Sequence, residues 1–207
     1  MNPRRRGLLI ALEGIDGAGK STLSRALTSA LRRRGHSVAQ WREPSDARLG
    51  ALAQSVGRDD PWTGAVYFTV DRYLARPDLE RALARFDVVV SDRSFFSTLA
   101  YQGSALPPRE RRRLAQLEHV ATVAPDRVIL LEIPLRDAVR RVGGRAGARG
   151  PLEERRILAR VAREYRSLAR RRRWVTLDAR RPTRELVAET IERLGLQRRR
   201  SASGRPR

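Results

Sequence analysis

With 207 residues, of which 41% are hydrophobic, the chain is long enough to bury one full α/β core. It has no cysteine, which excludes disulfides and thiolate metal sites, and no apolar run of the roughly 18 to 20 residues that a membrane span needs. The formal net charge is +21, carried almost wholly by arginine and concentrated in part at the two ends. Basic ends can bind nucleic acid without sequence preference, although a solvated tail is the commoner outcome. We therefore expect a soluble, cytoplasmic protein with no membrane partner.

Strand-like and helix-like segments alternate along the chain. Short apolar runs predict buried strands at 8–12, 37–42, 88–90, 128–131 and 174–177. Segments with helical periodicity predict helices at 21–34, from about 61 to 85, and at 109–122, 152–172 and 183–194. This alternation is typical of a five-stranded parallel sheet with helices on both faces. We expect one domain over residues 1–195, followed by a basic, disordered tail at 196–207.

A phosphate-binding loop follows the first predicted strand. Gly14, Gly19, Lys20 and Ser21 fill the pattern G-x-x-x-x-G-K-S between a strand and a helix, which is the context that this motif requires. Backbone N–H groups of such a loop surround phosphate oxygens, and the lysine reaches the β- and γ-phosphates. The predicted ATP-binding residues are Gly14, Ile15, Asp16, Gly17, Ala18, Gly19, Lys20, Ser21 and Thr22. The sequence thus predicts a three-layer P-loop NTPase fold that takes ATP.

Magnesium is the cofactor that this loop predicts. The hydroxyl of Ser21 follows the loop lysine, where it can bind Mg²⁺. Asp92 ends the third predicted strand behind three valines, where a second Mg²⁺ ligand belongs. Ser21 and Asp92 are therefore the predicted metal residues.

Several further segments resemble the thymidylate kinase family of P-loop nucleotide kinases. From Leu8 to Leu194, "ALEGIDGAGKSTL", "WREP", "YFTVDRY", "SDRSFFSTLAYQG", "PDRVILLEIP" and "VTLDARRPTRELV" occur in the order of the family. The pairing of F-x-x-x-R with the segment after Asp92 is more specific than the phosphate loop alone. The resemblance implies an ATP:dTMP phosphotransferase that produces dTDP and ADP, and it implies a homodimer, with the apolar helix at 65–74 as a candidate contact.

The resemblance also implies a site for the acceptor base and sugar. Phe68 would stack on the thymine ring, and Arg72 would donate a hydrogen bond to a base carbonyl. Thr98 and Gln102 would lie at the edge of the base. Tyr101 would pack against the 2′ carbon of the sugar and so reject ribonucleotides.

The remaining implied residues lie near phosphates. Arg42 would hold the 5′-phosphate of the acceptor, and Arg93 would bridge the acceptor and donor phosphates. Asp16 would accept a hydrogen bond from the 3′-hydroxyl of the deoxyribose, which would explain a carboxylate inside an anion-binding loop. Glu43 would lie near the acceptor and Mg²⁺.

The glycine-rich segment at about 143–151 is predicted to be a short lid over ATP. Its residues Arg145 and Arg149 could bring positive charge to the transferred phosphoryl group, so we predict a catalytic set of Lys20, Arg93, Arg145 and Arg149. No strong general base is required, because the attacking phosphate oxygen of a monophosphate is already ionised.

Two alternatives remain open because the chain departs from the family pattern. Ser45, Asp46 and Ala47 follow "REP" where bacterial members usually have two glycines and a threonine, and the lid is short. One alternative is a deoxynucleoside kinase in which Glu43 is the base on the 5′-hydroxyl of the sugar. The other is a catalytically weak nucleotide-binding protein with a regulatory role.

Overall fold

A computed structural model describes residues 7–142 and 151–197 of the chain. Its five strands are β1 (Leu8–Glu13), β2 (Val38–Arg42), β3 (Val88–Asp92), β4 (Arg127–Glu132) and β5 (Val175–Asp178). The helices are α1 (Lys20–Arg33), α2 (Ala47–Val56), α3 (Pro61–Arg85), α4 (Phe95–Tyr101), α5 (Pro108–Ala121), α6 (Leu135–Val142), α7 (Pro151–Arg172) and α8 (Thr183–Arg193). One turn of 3₁₀ helix at Gly103–Ala105 follows α4.

The strands form one parallel sheet in the order β2-β3-β1-β4-β5, which confirms the predicted five-stranded parallel sheet. In its register, Leu12 of β1 pairs with Asp92 of β3 on one side and with Ile129 of β4 on the other. The carboxyl ends of β1 and β3 are therefore adjacent. Because the phosphate loop leaves β1 at this edge, the sheet brings the loop and Asp92 together.

Alternate side chains of β1 enter opposite cores, as expected for a strand buried on both faces. Ile10 and Leu12 pack in the cluster that contains the apolar residues of α1 and α8. Leu9 belongs to the cluster with Leu79 and Leu83 of α3, and Ala11 to the cluster formed by α4 and α5. The predicted helices on both faces are thus confirmed.

Three short helices, α2, α4 and α6, were not predicted. The carboxylate of Asp46 caps α2 by accepting hydrogen bonds from the backbone N–H groups of Arg48 and Leu49, at 2.7 and 2.9 Å. Ser94 caps α4, where its hydroxyl accepts from the N–H of Phe96. Helices of only 7 to 10 residues show too few turns for a clear helical period, so the caps of α2 and α4 were the available signal for those two.

Leu196 and Gln197, the first residues of the predicted tail, belong to the described part of the chain and make contacts there. Leu196 packs against the main core, and the carbonyl oxygen of Gln197 lies 3.1 Å from the His36 ring. Residues 198–207 lie outside the described part of the chain, as do 143–150, which include most of the predicted lid with Arg145 and Arg149. None of the helices within 7–142 and 151–197 is long and apolar enough to cross a membrane.

Candidate active site

The phosphate loop connects β1 to α1 through three glycines in left-handed or related conformations. Gly14, Gly17 and Gly19 have φ angles of 143°, 84° and 93°, which residues other than glycine rarely adopt. At Gly14 an added Cβ would also lie 2.5 Å from the carbonyl oxygen of Leu131, so the loop crosses β4 at close range. The side chains of Ile15 and Ala18 are buried, so these two predicted residues can offer a ligand only their backbone.

Lys20 is the first residue of α1, and its buried side chain turns back towards the loop. Its Nζ donates hydrogen bonds to the carbonyl oxygens of Gly14 and Ile15 at 2.9 and 3.0 Å. Burial, followed by the charge of Arg93, lowers the pKa of Lys20 to about 8. A bound phosphate would raise this pKa again, because its negative charge stabilises the protonated ammonium of Lys20.

Ser21 and Asp92 meet where α1 begins and β3 ends. The Ser21 hydroxyl donates to Oδ2 of Asp92 at 2.5 Å, so two oxygens of the kind that Mg²⁺ prefers are adjacent. Within 7–142 and 151–197, no group of three acidic, histidine or cysteine side chains could hold a metal. Two such oxygens side by side would suit a Mg²⁺ that takes its other ligands from water and phosphate.

Asp16 lies between two cations. One carboxylate oxygen pairs with the Arg93 guanidinium, and the same oxygen is 3.9 Å from Nζ of Lys20. Partial burial by itself would raise the pKa of Asp16, but Arg93 and Lys20 outweigh it and hold the pKa below its usual value. The backbone N–H of Asp16 donates to the Tyr101 hydroxyl at 2.9 Å. The negative charge in the phosphate loop is thus compensated within the protein.

Arg93 follows β3 in a left-handed conformation, with a φ of 84°. This conformation directs the guanidinium to Asp16, to the Ser97 hydroxyl at 3.2 Å and over the Tyr101 ring at 5.6 Å. Burial by itself would lower the pKa of Arg93, but the charge of Asp16, followed by Tyr101, outweighs it and raises the pKa well above its usual value. A charged arginine is therefore held at the junction of the site at every working pH.

Two cavities meet at Asp16 and Arg93, which line both of them. The larger cavity, of about 730 Å³, contains the phosphate loop, Thr22 and Asp92, and Arg42 lies on this side. The smaller cavity, of about 320 Å³, contains most of the predicted acceptor residues: Glu43, Phe68, Arg72, Thr98, Tyr101 and Gln102. The pattern of two adjoining cavities fits a donor and an acceptor that exchange a group at their junction. We call them the donor cavity and the acceptor cavity.

Phe68 and Arg72 face the acceptor cavity one helical turn apart on α3. Phe68 is half-buried and lies outside the apolar clusters of the core, in contrast to the usual fate of an aromatic residue on an apolar helix face. Arg72 is buried, and its Nη1 donates to the Thr98 hydroxyl at 2.8 Å. An aromatic face beside a fixed guanidinium can recognise a planar base.

Glu43 lies against Arg72 on the same wall of the acceptor cavity. Its Oε2 accepts from Nε of Arg72 at 2.5 Å. Burial raises the pKa of Glu43 to about 7, although the charge of Arg72 opposes the shift. The carboxyl can therefore bind or release a proton near neutral pH.

Four further residues support the site and were missed by the sequence reasoning. Arg141 and Arg181 line the donor cavity, and Nη1 of Arg141 donates to the carbonyl oxygen of Gly17 at 3.2 Å.

Glu13, fully buried at the end of β1, accepts hydrogen bonds from Ser94, Ser97 and Tyr165. Asp71 accepts from the backbone N–H groups of Ser45 and Asp46 at 2.8 and 2.7 Å, and thereby holds the segment after "REP". An acid inside a buried strand was a readable signal for Glu13, whereas arginines are too common in this chain to single out two.

Comparisons with known proteins agree with this geometry. The family model described as thymidylate kinase matches residues 12–191. A probable thymidylate kinase of Methanothermobacter thermautotrophicus is 36% identical over 90% of this chain and 93% of its own length. A thymidylate kinase of Synechococcus sp. is 34% identical over 90% of this chain and 94% of its own. One of Xanthomonas oryzae pv. oryzae is 41% identical, over 69% of this chain and 63% of its own. The chain therefore belongs to the thymidylate kinase family.

Proposed function

We propose that the protein transfers the γ-phosphoryl group of ATP to dTMP, producing dTDP and ADP. The observation that carries this proposal is the junction at Asp16 and Arg93 between a phosphate-loop cavity and a base-sized cavity with an aromatic wall. Membership of the thymidylate kinase family supports the same reaction. Both substrates are free nucleotides, which supports the cytoplasm as the place of action.

On the donor side, the loop N–H groups and Lys20 bind and orient the ATP phosphates. Ser21 and Asp92 would hold Mg²⁺, which neutralises phosphate charge when bound. Arg93 lines both cavities, so it can contact the transferred group from donor to acceptor. Arg145 and Arg149, predicted to contribute from the lid, lie outside the described residues.

On the acceptor side, Phe68 would stack on the thymine, and Arg72 and Thr98 would bind its edge together with Gln102. Tyr101 would contact the sugar. Arg42 lies on the donor side of the junction, so it would hold the acceptor 5′-phosphate where this phosphate enters the donor cavity. The attacking oxygen of the phosphate is already ionised, and the protein has to supply position and positive charge only.

A deoxynucleoside kinase is the second candidate, because the pKa of Glu43 near 7 would suit a general base. This candidate requires the Glu43 carboxylate to reach a sugar hydroxyl. The same carboxylate is bound to Nε of Arg72 at 2.5 Å, which favours a part in holding Arg72 instead.

An assay that couples ADP formation to NADH oxidation tests the proposal with ATP and Mg²⁺. The acceptor panel contains dTMP, dUMP, dCMP, the ribonucleotide ribothymidine 5′-monophosphate, and thymidine. We expect turnover with dTMP, little with dCMP or the ribonucleotide, and none with thymidine. Preference for thymidine would select the nucleoside kinase. Tight nucleotide binding without turnover would select the regulatory protein.

We also propose that two copies of the chain associate through the outer faces of α3 and α5. Large apolar side chains are exposed there: Val70, Tyr73, Leu74, Leu117 and Val120, with exposures of 37% to 75%. Ala65, at the start of the predicted contact, is fully buried in the core and cannot take part. Light scattering after size exclusion should give twice the chain mass, and the double substitution Tyr73→Glu with Leu74→Glu should give a monomer.

A further inference from the structure

A buried carboxyl on α5 lies behind the acceptor cavity without lining it. The side chain of Glu118 is fully buried, and its Oε1 accepts a hydrogen bond from Nη1 of Arg72 at 3.0 Å. The same oxygen lies 3.1 Å from the Thr69 hydroxyl. Its second oxygen, Oε2, is buried and has no hydrogen-bond partner among the described residues. Burying a carboxylate in this way is costly, and an apolar residue of similar volume would avoid that cost.

The hydrogen bonds of Arg72 give a reason for this buried carboxyl. An arginine side chain has five N–H groups. Nε donates to Glu43, the two hydrogens of Nη1 serve Thr98 and Glu118, and Nη2 donates to the backbone carbonyl oxygen of Ser94 at 3.3 Å. Within residues 7–142 and 151–197, these partners leave one N–H of Nη2 without an acceptor. Since Arg72 lines the acceptor cavity, this single donor is the one available to a ligand.

We propose that Glu118 is a positioning residue that orients Arg72, so that its remaining N–H recognises a carbonyl of the acceptor base. A base with an amino group at that position would place two donors against each other and leave both unpaired. The site would then discriminate thymine from cytosine through a residue that touches neither base. This inference rests on the proposed acceptor site for dTMP.

Glu43 and Glu118 bind different parts of the Arg72 guanidinium and differ in their access to the acceptor cavity. Glu43 binds Nε and forms part of the cavity wall, so its substitution would alter the substrate contacts directly. Glu118 binds the opposite end of the guanidinium from outside the cavity. Without Glu118, Arg72 would keep Glu43, Thr98 and the Ser94 carbonyl as partners, but one N–H of Nη1 would lose its acceptor and the guanidinium would be held less firmly. The expected consequence is lost selectivity and weaker acceptor binding, with the donor side unaffected.

Two substitutions test the inference. Glu118→Leu removes the buried carboxyl and leaves one N–H of Arg72 without its acceptor, whereas Glu118→Gln keeps an uncharged acceptor oxygen. We expect the KM for dTMP to rise about tenfold or more in Glu118→Leu and by a smaller factor in Glu118→Gln, with the KM for ATP within about twofold of wild type. The preference in kcat/KM for dTMP over dCMP should fall in the same order. Glu164→Gln is the matched control, because Glu164 also pairs with an arginine of α5, Arg111, at 3.4 Å and lies outside the acceptor cavity.

Calorimetric binding of dTMP, measured on the same proteins, separates this inference from the proposed function. A wild type that binds dTMP without phosphorylating it would refute the function, while the Kd values of the variants would still test Glu118. A wild type that does not bind dTMP would refute both. Folded variants with unchanged affinity and unchanged preference over dCMP would overturn the inference, and if Glu118→Leu does not fold, Glu118→Gln decides alone.

Discussion

Substitution of Asp16 by asparagine tests whether the carboxylate in the phosphate loop serves the acceptor. Asparagine has nearly the same shape, so the backbone N–H bond to Tyr101 should persist while the charge is removed. The side chains of Asp16 and Arg93 are 47% and 22% exposed. A pair this accessible to water contributes only about 0 to 1 kcal/mol to the free energy of unfolding, so the variant should fold.

The expected effect on catalysis is larger than the effect on stability. A hydrogen bond to a charged group is worth about 1.5 to 3 kcal/mol, which corresponds to a roughly ten- to hundredfold loss in kcat/KM for dTMP. The KM for ATP, in contrast, should not rise. Oδ1 of Asp16 lies 3.9 Å from Nζ of Lys20, where its charge opposes the binding of phosphate. Removing this charge should leave the KM for ATP unchanged or slightly lower.

Steady-state kinetics with each substrate varied in turn, together with thermal unfolding, measure these effects. Asp78→Asn is a suitable control, since it removes an exposed carboxylate paired with Arg81 on α3, outside both cavities. An unchanged kcat/KM for dTMP would show that Asp16 has no part in acceptor binding. An equal rise in both KM values would show that it only maintains the shape of the loop.

Three other substitutions give distinct expectations. Lys20→Ala should lower kcat by about a hundredfold or more in a folded protein, because it removes the charge that faces the ATP phosphates; near-normal kcat would refute the assignment. Phe68→Ala should raise the KM for dTMP by about five- to a hundredfold and the KM for ATP much less, since stacking on a base is worth about 1 to 3 kcal/mol; equal effects would indicate lost packing. Burial raises the pKa of Glu118 above its usual 4.5, against the opposing charge of Arg72. Its contribution to the free energy of unfolding is therefore greatest below pH 4.5 and is lost as the pH rises through the raised pKa. In urea titrations at several pH values, Glu118→Gln should make the free energy of unfolding fall less steeply as the pH rises. Parallel pH profiles of wild type and variant would contradict this expectation.

Local signals in the sequence determined the sheet and the phosphate loop. Continuous apolar runs such as Val88-Val89-Val90 have the composition of strands buried on both faces, and the loop has a fixed spacing between glycine, lysine and serine. The order of family motifs also identified Phe68 and Arg72 as candidate site residues, and the end of the third predicted strand identified Asp92. All three lie at the two cavities.

Only the tertiary structure decided which charges face each other. Arg72 meets Glu118 across 46 positions of sequence, and Asp16 meets Arg93 across 77. No local pattern encodes such pairs: the first forms when α3 packs beside α5, and the second forms when β1 and β3 pair in the sheet. In a chain with so many arginines, composition alone could not separate the buried, oriented guanidinium of Arg72 from a solvated one. Burial and the geometry of its partners make that distinction, and they are properties of the packed fold.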